Sequence, residues 1–328
     1  MNEQIPIVLK ADGDHTFAEI LAVHLKTRLL EETDAPSPSD EGETQIEANE
    51  CAASPAEGAR IVADTQAQAP ATGIRNRLVW LAVDADGLSL TDGDQAMRGD
   101  FTKLQKRLQY HNLTHELLVK ATKVKGREKL RVIDATAGMG EDSLLLAAAG
   151  CEVTLFEQDP VIAALLQDTM RRALEEAALH DIVTRMQLVE GDSIDHLRKL
   201  SGAGMSSDAQ FSTQGEAVKH TCLASTASDA MTHSSDEALK RPDVIYLDPM
   251  FPERQKSGLV KKKFQLIHYL EAPAENEEAL MQAAIAARPF KIVVKRPAKG
   301  PYLAGLKPSY SLDGKAIRYD CYVFPENA

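Results

Sequence analysis

The sequence predicts a doubly wound α/β fold, a mostly parallel sheet with helices on both faces, preceded by a small α+β module. Three observations predict it. Short apolar runs rich in β-branched residues alternate with helical patterns between residues 130 and 295. The first of these runs ends in Asp134 and passes through Ala135-Thr136-Ala137-Gly138-Met139-Gly140 into a helix start at Glu141-Asp142-Ser143. That strand, tight turn and helix form the unit at which such sheets bind nucleotide-like ligands. Finally, Glu157, Asp192 and Asp248 follow three later strands, so acids gather on one rim of the predicted sheet.

The elements follow in order. Residues 5–10 read as a strand. Asp14 can cap a helix running to residue 30, with Phe17, Ile20, Leu21 and Leu25 on one face. Residues 31–73 are rich in Pro, Ser, Ala and acids, with too little apolar content to pack, and are expected to be a disordered insertion. A strand at 77–83, a turn at Asp84-Ala85-Asp86-Gly87 and a returning strand at 88–90 complete a module over residues 1–100. The second domain is expected over residues 101–328. It opens with a helix at 103–123. Strands then follow at 130–134, 152–157, 185–190, 243–247 and 290–295. Helices lie between them, one of them starting at Pro160, where proline suits a first turn. Residues 201–240 form a second low-complexity insertion. Two closing strands, at 309–311 and 316–324, are joined by the Asp313-Gly314 turn.

Composition narrows the function. The chain has 328 residues, 44% of them apolar. No apolar run approaches the roughly 20 residues of a membrane span, and the N-terminus lacks the pattern of a secretory signal. Cys51, Cys151, Cys222 and Cys321 are widely spaced, as in a cytoplasmic protein with reduced thiols. His111 and His115 share a helical face, but no third ligand accompanies them, so no metal is expected. Trp80 sits in an apolar strand and reads as core. The net charge of −12 is concentrated in residues 1–100, with 7 Lys/Arg against 19 Asp/Glu, whereas residues 241–328 carry 14 against 10. A local basic patch can therefore still meet phosphates, because screening confines charge effects to about 8–10 Å.

The rim residues suggest the chemistry. Glu157 lies about twenty residues beyond the glycines, where an acid can grip a ribose diol, and Asp192-Ser193 could meet an adenine amino group. These features suit a nicotinamide-dependent oxidoreductase as well as a methyltransferase. The turn lacks the third glycine of a dinucleotide fingerprint, however. The run Asp248-Pro249-Met250-Phe251 decides between them. It resembles the (Asn/Asp)-Pro-Pro-(Tyr/Phe) motif of S-adenosylmethionine-dependent enzymes that methylate planar amino nitrogens. An exocyclic amino group is a poor nucleophile, because its lone pair is delocalised into the ring. The Asp248 carboxylate and Pro249 carbonyl can accept its two N–H groups and aim the nitrogen, while Phe251 stacks on the base.

Longer stretches sharpen the resemblance. They are Val132 to Gly138, Glu157 to Leu166, Val244 to Pro252, Gln255 to Lys262 and Val293 to Pro297. Together they resemble the RsmJ family of bacterial 16S rRNA (guanine-N2)-methyltransferases. The resemblance implies a class I, Rossmann-like methyltransferase fold with a seven-stranded, mostly parallel sheet. It implies S-adenosyl-L-methionine as cofactor, contacted by Glu141, Asp142, Glu157, Gln158, Asp192, Ser193 and Asp248, and Asp134, Gly138 and Gly140 of the first turn are expected to contact it as well. Its implied partner is 16S rRNA or the small ribosomal subunit. Adenine N6 and a glutamine amide are alternative acceptors, and an RNA-binding protein without activity is a further alternative. Arg254, Lys256, Lys261, Lys262 and Lys263 follow the Asp-Pro motif with no acid among residues 254–263, and are expected to bind RNA, as are Lys295 and Arg296. The sequence departs from the family in its two insertions, in Thr136 of the turn, and at residues 107–115, where the family has a Gly-rich, Arg-containing segment.

Overall fold

The structure, a computed structural model, describes residues 5–36, 78–203, 241–249, 266 and 276–324. Two sheets organise them. The smaller one has the order β2-β1-β3-β4-β5, with β1 (Ile7–Leu9), β2 (Leu29–Glu31), β3 (Trp80–Asp84), β4 (Gly87–Thr91) and β5 (Ala96–Met97). Helix α1 (His15–His24) connects β1 to β2, and the Asp14 carboxylate caps it by accepting from the Phe17 N–H.

The expected helix to residue 30 stops early. Lys26 takes a left-handed φ of 51°, and the chain turns back so that Leu29–Glu31 pairs in parallel with Ile7–Leu9. Residues 31–34, expected in the first insertion, therefore belong to the sheet and to a short 3-10 turn at Glu32–Asp34. The rest of both expected insertions, residues 37–73 and 204–240, lies outside the described residues, as does residue 77, expected to open the strand at 77–83.

The helix expected at 103–123 is also interrupted. A 3-10 turn (Phe101–Leu104) leads into α2 (Gln105–Leu108), α3 (Tyr110–Leu113) and α4 (Leu117–Thr122). Gln109 and Glu116, with ψ of 136° and 127°, break the run.

The larger sheet is seven-stranded, in the order β11-β12-β10-β9-β6-β7-β8. Its strands are β6 (Arg131–Asp134), β7 (Glu152–Glu157), β8 (Met186–Glu190), β9 (Val244–Leu247), β10 (Lys291–Pro297), β11 (Tyr310–Asp313) and β12 (Ile317–Val323). Pairings from β8 across to β10 are parallel, whereas β12 runs antiparallel to both β10 and β11. Both faces are covered, which explains strands that are apolar throughout. Val132, Val153, Val244 and Val293 point into one core. Their neighbours Ile133, Ile245, Ile292 and Val294 point into the other. Helices α5 (Glu141–Ala148), α6 (Pro160–Leu174) and α7 (His180–Val183) lie on the first face, and α8 (Ser193–Ala203) and α9 (Glu277–Ala286) on the second. Among the described residues no helix is long and apolar enough to cross a membrane.

The two sheets share α6. Its Leu166 and Met170 enter the core of the large sheet, while Val161, Ile162 and Leu165 enter that of the small one. Polar bonds reinforce the contact. The buried Asp168 carboxylate accepts from the Leu88 N–H at 3.0 Å and the Arg172 Nε at 2.8 Å, and Arg172 also donates to the Gly99 carbonyl at 2.7 Å. Gly87 at the hairpin has φ +106°, and a Cβ there would stand 2.7 Å from the Asp168 carboxylate.

Candidate active site

The order of the sheet reverses between β6 and β9, and ligands of such sheets bind in the crevice beyond the strand ends at that point. Asp134 closes β6, Glu157 closes β7 and Asp248 follows β9. The glycine turn is tied to both neighbouring strands, the Ala137 N–H donating to the Phe156 carbonyl and the Ala135 N–H to the Tyr246 carbonyl.

The two glycines of the turn do different work. Gly138, at φ +52°, has nothing within 4 Å of the place a Cβ would occupy, so its backbone faces open space. Gly140, at φ +74°, is a packing position. A Cβ there would stand 2.6 Å from Leu166 of α6. Gly140 also starts α5 without a side-chain cap, leaving Glu141 and Asp142 in the first turn to complement the helix dipole.

Glu157 is buried, and its carboxylate accepts from the Gly138 N–H at 2.9 Å and the Asp159 N–H at 2.8 Å, one bond per oxygen. Burial pushes its pKa up, against the pull of those two N–H groups. Each oxygen still has a lone pair for a ligand hydroxyl. Gln158 is exposed beside it. Asp192 is exposed and caps α8, accepting from the Ile194 N–H at 2.8 Å, while Ser193 is buried.

Asp134 has a different part from the expected ligand contact. It is 1% exposed, and its carboxylate accepts from the Ser143 hydroxyl at 2.6 Å and the Thr136 N–H at 3.1 Å. Burial raises its pKa to about 7. It fastens the turn to α5 from beneath, with both oxygens engaged.

Around Asp248 the structure assembles groups that sequence reasoning left apart. The Asp248 N–H donates to the Thr136 hydroxyl at 2.6 Å, so the departure at Thr136 ties the glycine turn to the Asp-Pro motif. The Lys295 ammonium lies 2.8 Å from both Asp248 Oδ2 and Asp142 Oδ2. The Tyr246 hydroxyl donates to the same Asp142 oxygen at 2.6 Å. Burial raises the pKa of Asp248, and Lys295 opposes it. The two carboxylates in turn hold the Lys295 ammonium above its ordinary range, outweighing its own burial. Asp248 Oδ1 receives no hydrogen bond from the described residues and stays available to a donor. Pro249 follows, buried.

The expected phosphate contacts of Lys295 and Arg296 are corrected. Lys295 is committed to the two site carboxylates. Arg296 is 1% exposed and donates to Glu277 at 3.1 Å and to the Pro301 carbonyl at 2.9 Å, which makes it part of the core. Phe251, Arg254, Lys256, Lys261, Lys262 and Lys263 lie outside the described residues.

A family described as "Putative SAM-dependent methyltransferase" matches residues 67–209 and 204–324. The "Ribosomal RNA small subunit methyltransferase J" of Thioalkalivibrio sulfidiphilus is 39% identical over 249 residues, which cover 74% of this chain and 84% of that protein. The chain belongs to the ribosomal RNA small subunit methyltransferase J family. The protein of the same name from Pseudomonas fluorescens strain Pf0-1 is 36% identical, covering 74% of this chain and 81% of its own. The crystal structure of a SAM-dependent methyltransferase from Neisseria gonorrhoeae shares the fold, with a TM-score of 0.59, 24% identity and coverage of 97% and 95% of the two chains.

As a member of the methyltransferase J family, the protein is an S-adenosyl-L-methionine-dependent methyltransferase. The site fits that cofactor. The open face of Gly138, the lone pairs left on Glu157 and the unobstructed Gly191, at φ +140°, leave room and acceptors beside the turn for a ribose and its base.

Proposed function

We propose that the protein methylates the exocyclic N2 of a guanine in small-subunit ribosomal RNA. The name of its relatives supports RNA of the small subunit as the substrate. The observation that carries the acceptor chemistry is the fixed Asp248, held at its backbone by Thr136 and at Oδ2 by Lys295, with Oδ1 left for an amino N–H. In this reading Glu157 takes the ribose hydroxyls of the cofactor, with Gln158 beside it and Asp192-Ser193 near the base. Glu141 and Asp142 stand at the end of α5 that faces the cofactor.

The cofactor, when bound, supplies an electrophilic methyl on a sulfonium. Asp248 Oδ1 and the Pro249 carbonyl accept the two N–H groups, which turns the nitrogen toward that methyl and draws its electrons out of the ring. As the methyl would pass to nitrogen, its bond to sulfur breaking to leave a neutral thioether, positive charge would develop on the nitrogen, and the Asp248 carboxylate is placed to stabilise it and to take the proton. Lys295 keeps the carboxylate ionised beforehand. Phe251 is the proposed stacking partner of the base, and Arg254, Lys256 and Lys261–Lys263 its proposed phosphate contacts, both from sequence.

Mass analysis of 16S rRNA from a deletion strain tests this. A single guanine should lose a methyl, which the wild-type gene restores and Asp248→Ala does not. An unaltered rRNA in the deletion strain would refute the proposal. Separately, Glu157→Ala should weaken S-adenosylhomocysteine binding at least about tenfold in calorimetry, since charge-assisted bonds contribute ~1.5–3 kcal/mol. Unchanged affinity in a folded variant would remove Glu157 from the site.

A further inference from the structure

Residues 102–115 hold no acid in a chain of net charge −12, and carry Lys103, Lys106, Arg107, His111 and His115. The break at Gln109 lifts the chain out of α2 and starts α3 with Tyr110, a residue 83% exposed. It is the most exposed large hydrophobic side chain among the described residues. Lys106, Arg107, Asn112, His115 and Glu116 line a shallow, open depression of about 350 Å³ in the same segment. Lys103 is paired with Asp100, and Arg107 with Glu116. Lys106 has no carboxylate partner among the described residues.

This ridge stands next to the candidate active site. Leu108 of α2 packs in one cluster with Leu145 of α5, the helix that begins at Glu141 and Asp142. Arg107 is held above its ordinary range by Glu116 first, and by its nearness to Asp142 and Glu141 as well. An exposed aromatic face flanked by an unpaired cation, in a stretch free of acids, is the chemistry that holds an unstacked base and its phosphate. A duplex would use the cations and leave the ring idle.

We propose that the ridge Lys106–Arg107–Tyr110 is a docking surface for single-stranded RNA, with an unpaired base stacked on Tyr110 and the adjoining phosphate held by Lys106. This deepens the reading above and rests on it for the identity of the RNA. The ridge occupies the segment where the sequence departs from the Gly-rich pattern, so the contact belongs to this chain's own residues.

The test uses the full chain and three variants, Tyr110→Ala, Tyr110→Trp and Lys106→Ala. Three quantities are measured: S-adenosylhomocysteine affinity, binding of a fluorescent single-stranded RNA across a salt series, and methyl transfer to small subunits from the deletion strain. Tyr110→Ala should weaken RNA binding and raise KM for the subunit about tenfold, with kcat close to wild type, while Tyr110→Trp restores both. Lys106→Ala should reduce the log–log salt slope by about 0.7, one phosphate on a single strand. Cofactor affinity should hold in all three. Wild-type RNA affinity and salt slope in Tyr110→Ala and Lys106→Ala would overturn the proposal, and so would a loss of cofactor affinity, which would assign the ridge to the packing of α5. If the wild type methylates no small-subunit RNA yet binds the single strand through Tyr110, the substrate assignment fails and the ridge stands.

Discussion

Lys295 and Arg296 are adjacent in sequence and have opposite fates, and the alternation of a strand is the reason. In β10 the side chains of Val293 and Lys295 leave one face and those of Val294 and Arg296 the other. Lys295 thereby reaches Asp142 and Asp248, whereas Arg296 sinks toward Glu277 of α9. The sequence showed two cations after a strand, and only the register tells which one meets the rim. Asp248 and Glu157 were legible because an acid at a strand end can be read without knowing its rotamer. Asp134 fits the same rule but lies beneath the turn. The placement of Lys295 makes a prediction. Lys295→Met removes the cation that opposes the burial of Asp248, so the carboxylate should protonate at higher pH. The acidic limb of the kcat profile should move upward and kcat at neutral pH should fall on the order of 10–100-fold. Lys295→Arg should recover part of it. An acidic limb that stays in place would show that Asp248 is not the group that titrates.

At the scale of elements, the central strands of the large sheet were readable because they are apolar on both faces and end in a turn or an acid. Two helical readings failed for local reasons. Leu25, Leu29 and Leu30 keep a helical spacing, but the chain leaves the helix at Lys26, a left-handed residue that is not glycine and gives no sequence signal. The run at 103–123 keeps its apolar spacing through breaks at Gln109 and Glu116. How the small sheet docks was not readable at all, since Asp168 looks like any polar residue on a long helix. Its side chain is fully buried, and it answers both Arg172 and the Leu88 N–H. Asp168→Ala should therefore cost about 2–3 kcal/mol, because the Leu88 N–H stays buried without an acceptor and Arg172, only 22% exposed, loses its carboxylate. Urea denaturation would show this, and a loss under about 1 kcal/mol would mean the sheets are held by apolar contact alone.

For the molecule as a whole, Asp134 ties stability to pH. Its folded pKa of about 7 lies above the ordinary carboxylate value of 3.8. The folded protein thus holds a proton that the unfolded chain releases. The contribution is complete below about pH 4 and is lost as pH rises through 7, at up to ~1.4 kcal/mol per pH unit in that window. Asp134→Asn carries no such proton. The stability difference, wild type minus variant, should decline between pH 4 and 7 in urea titrations. Parallel curves would show that Asp134 is ionised in the fold.

Helix α6 has a consequence for what can be separated. Its Leu166 sits where a Cβ on Gly140 would go, and Phe101 is the next nearest group there. The neighbouring Leu165 belongs to the core of the small sheet. Residue 100 is thus a border in the text of the chain but no joint in the solid body. A protein begun at Phe101 would bare Val161, Ile162 and Leu165 to water and lose the brace on the helix that presses the glycine turn. It should aggregate, or bind S-adenosylhomocysteine more weakly. The two parts are heritable only as a pair, and a substitution in the small sheet can surface as a change in cofactor affinity.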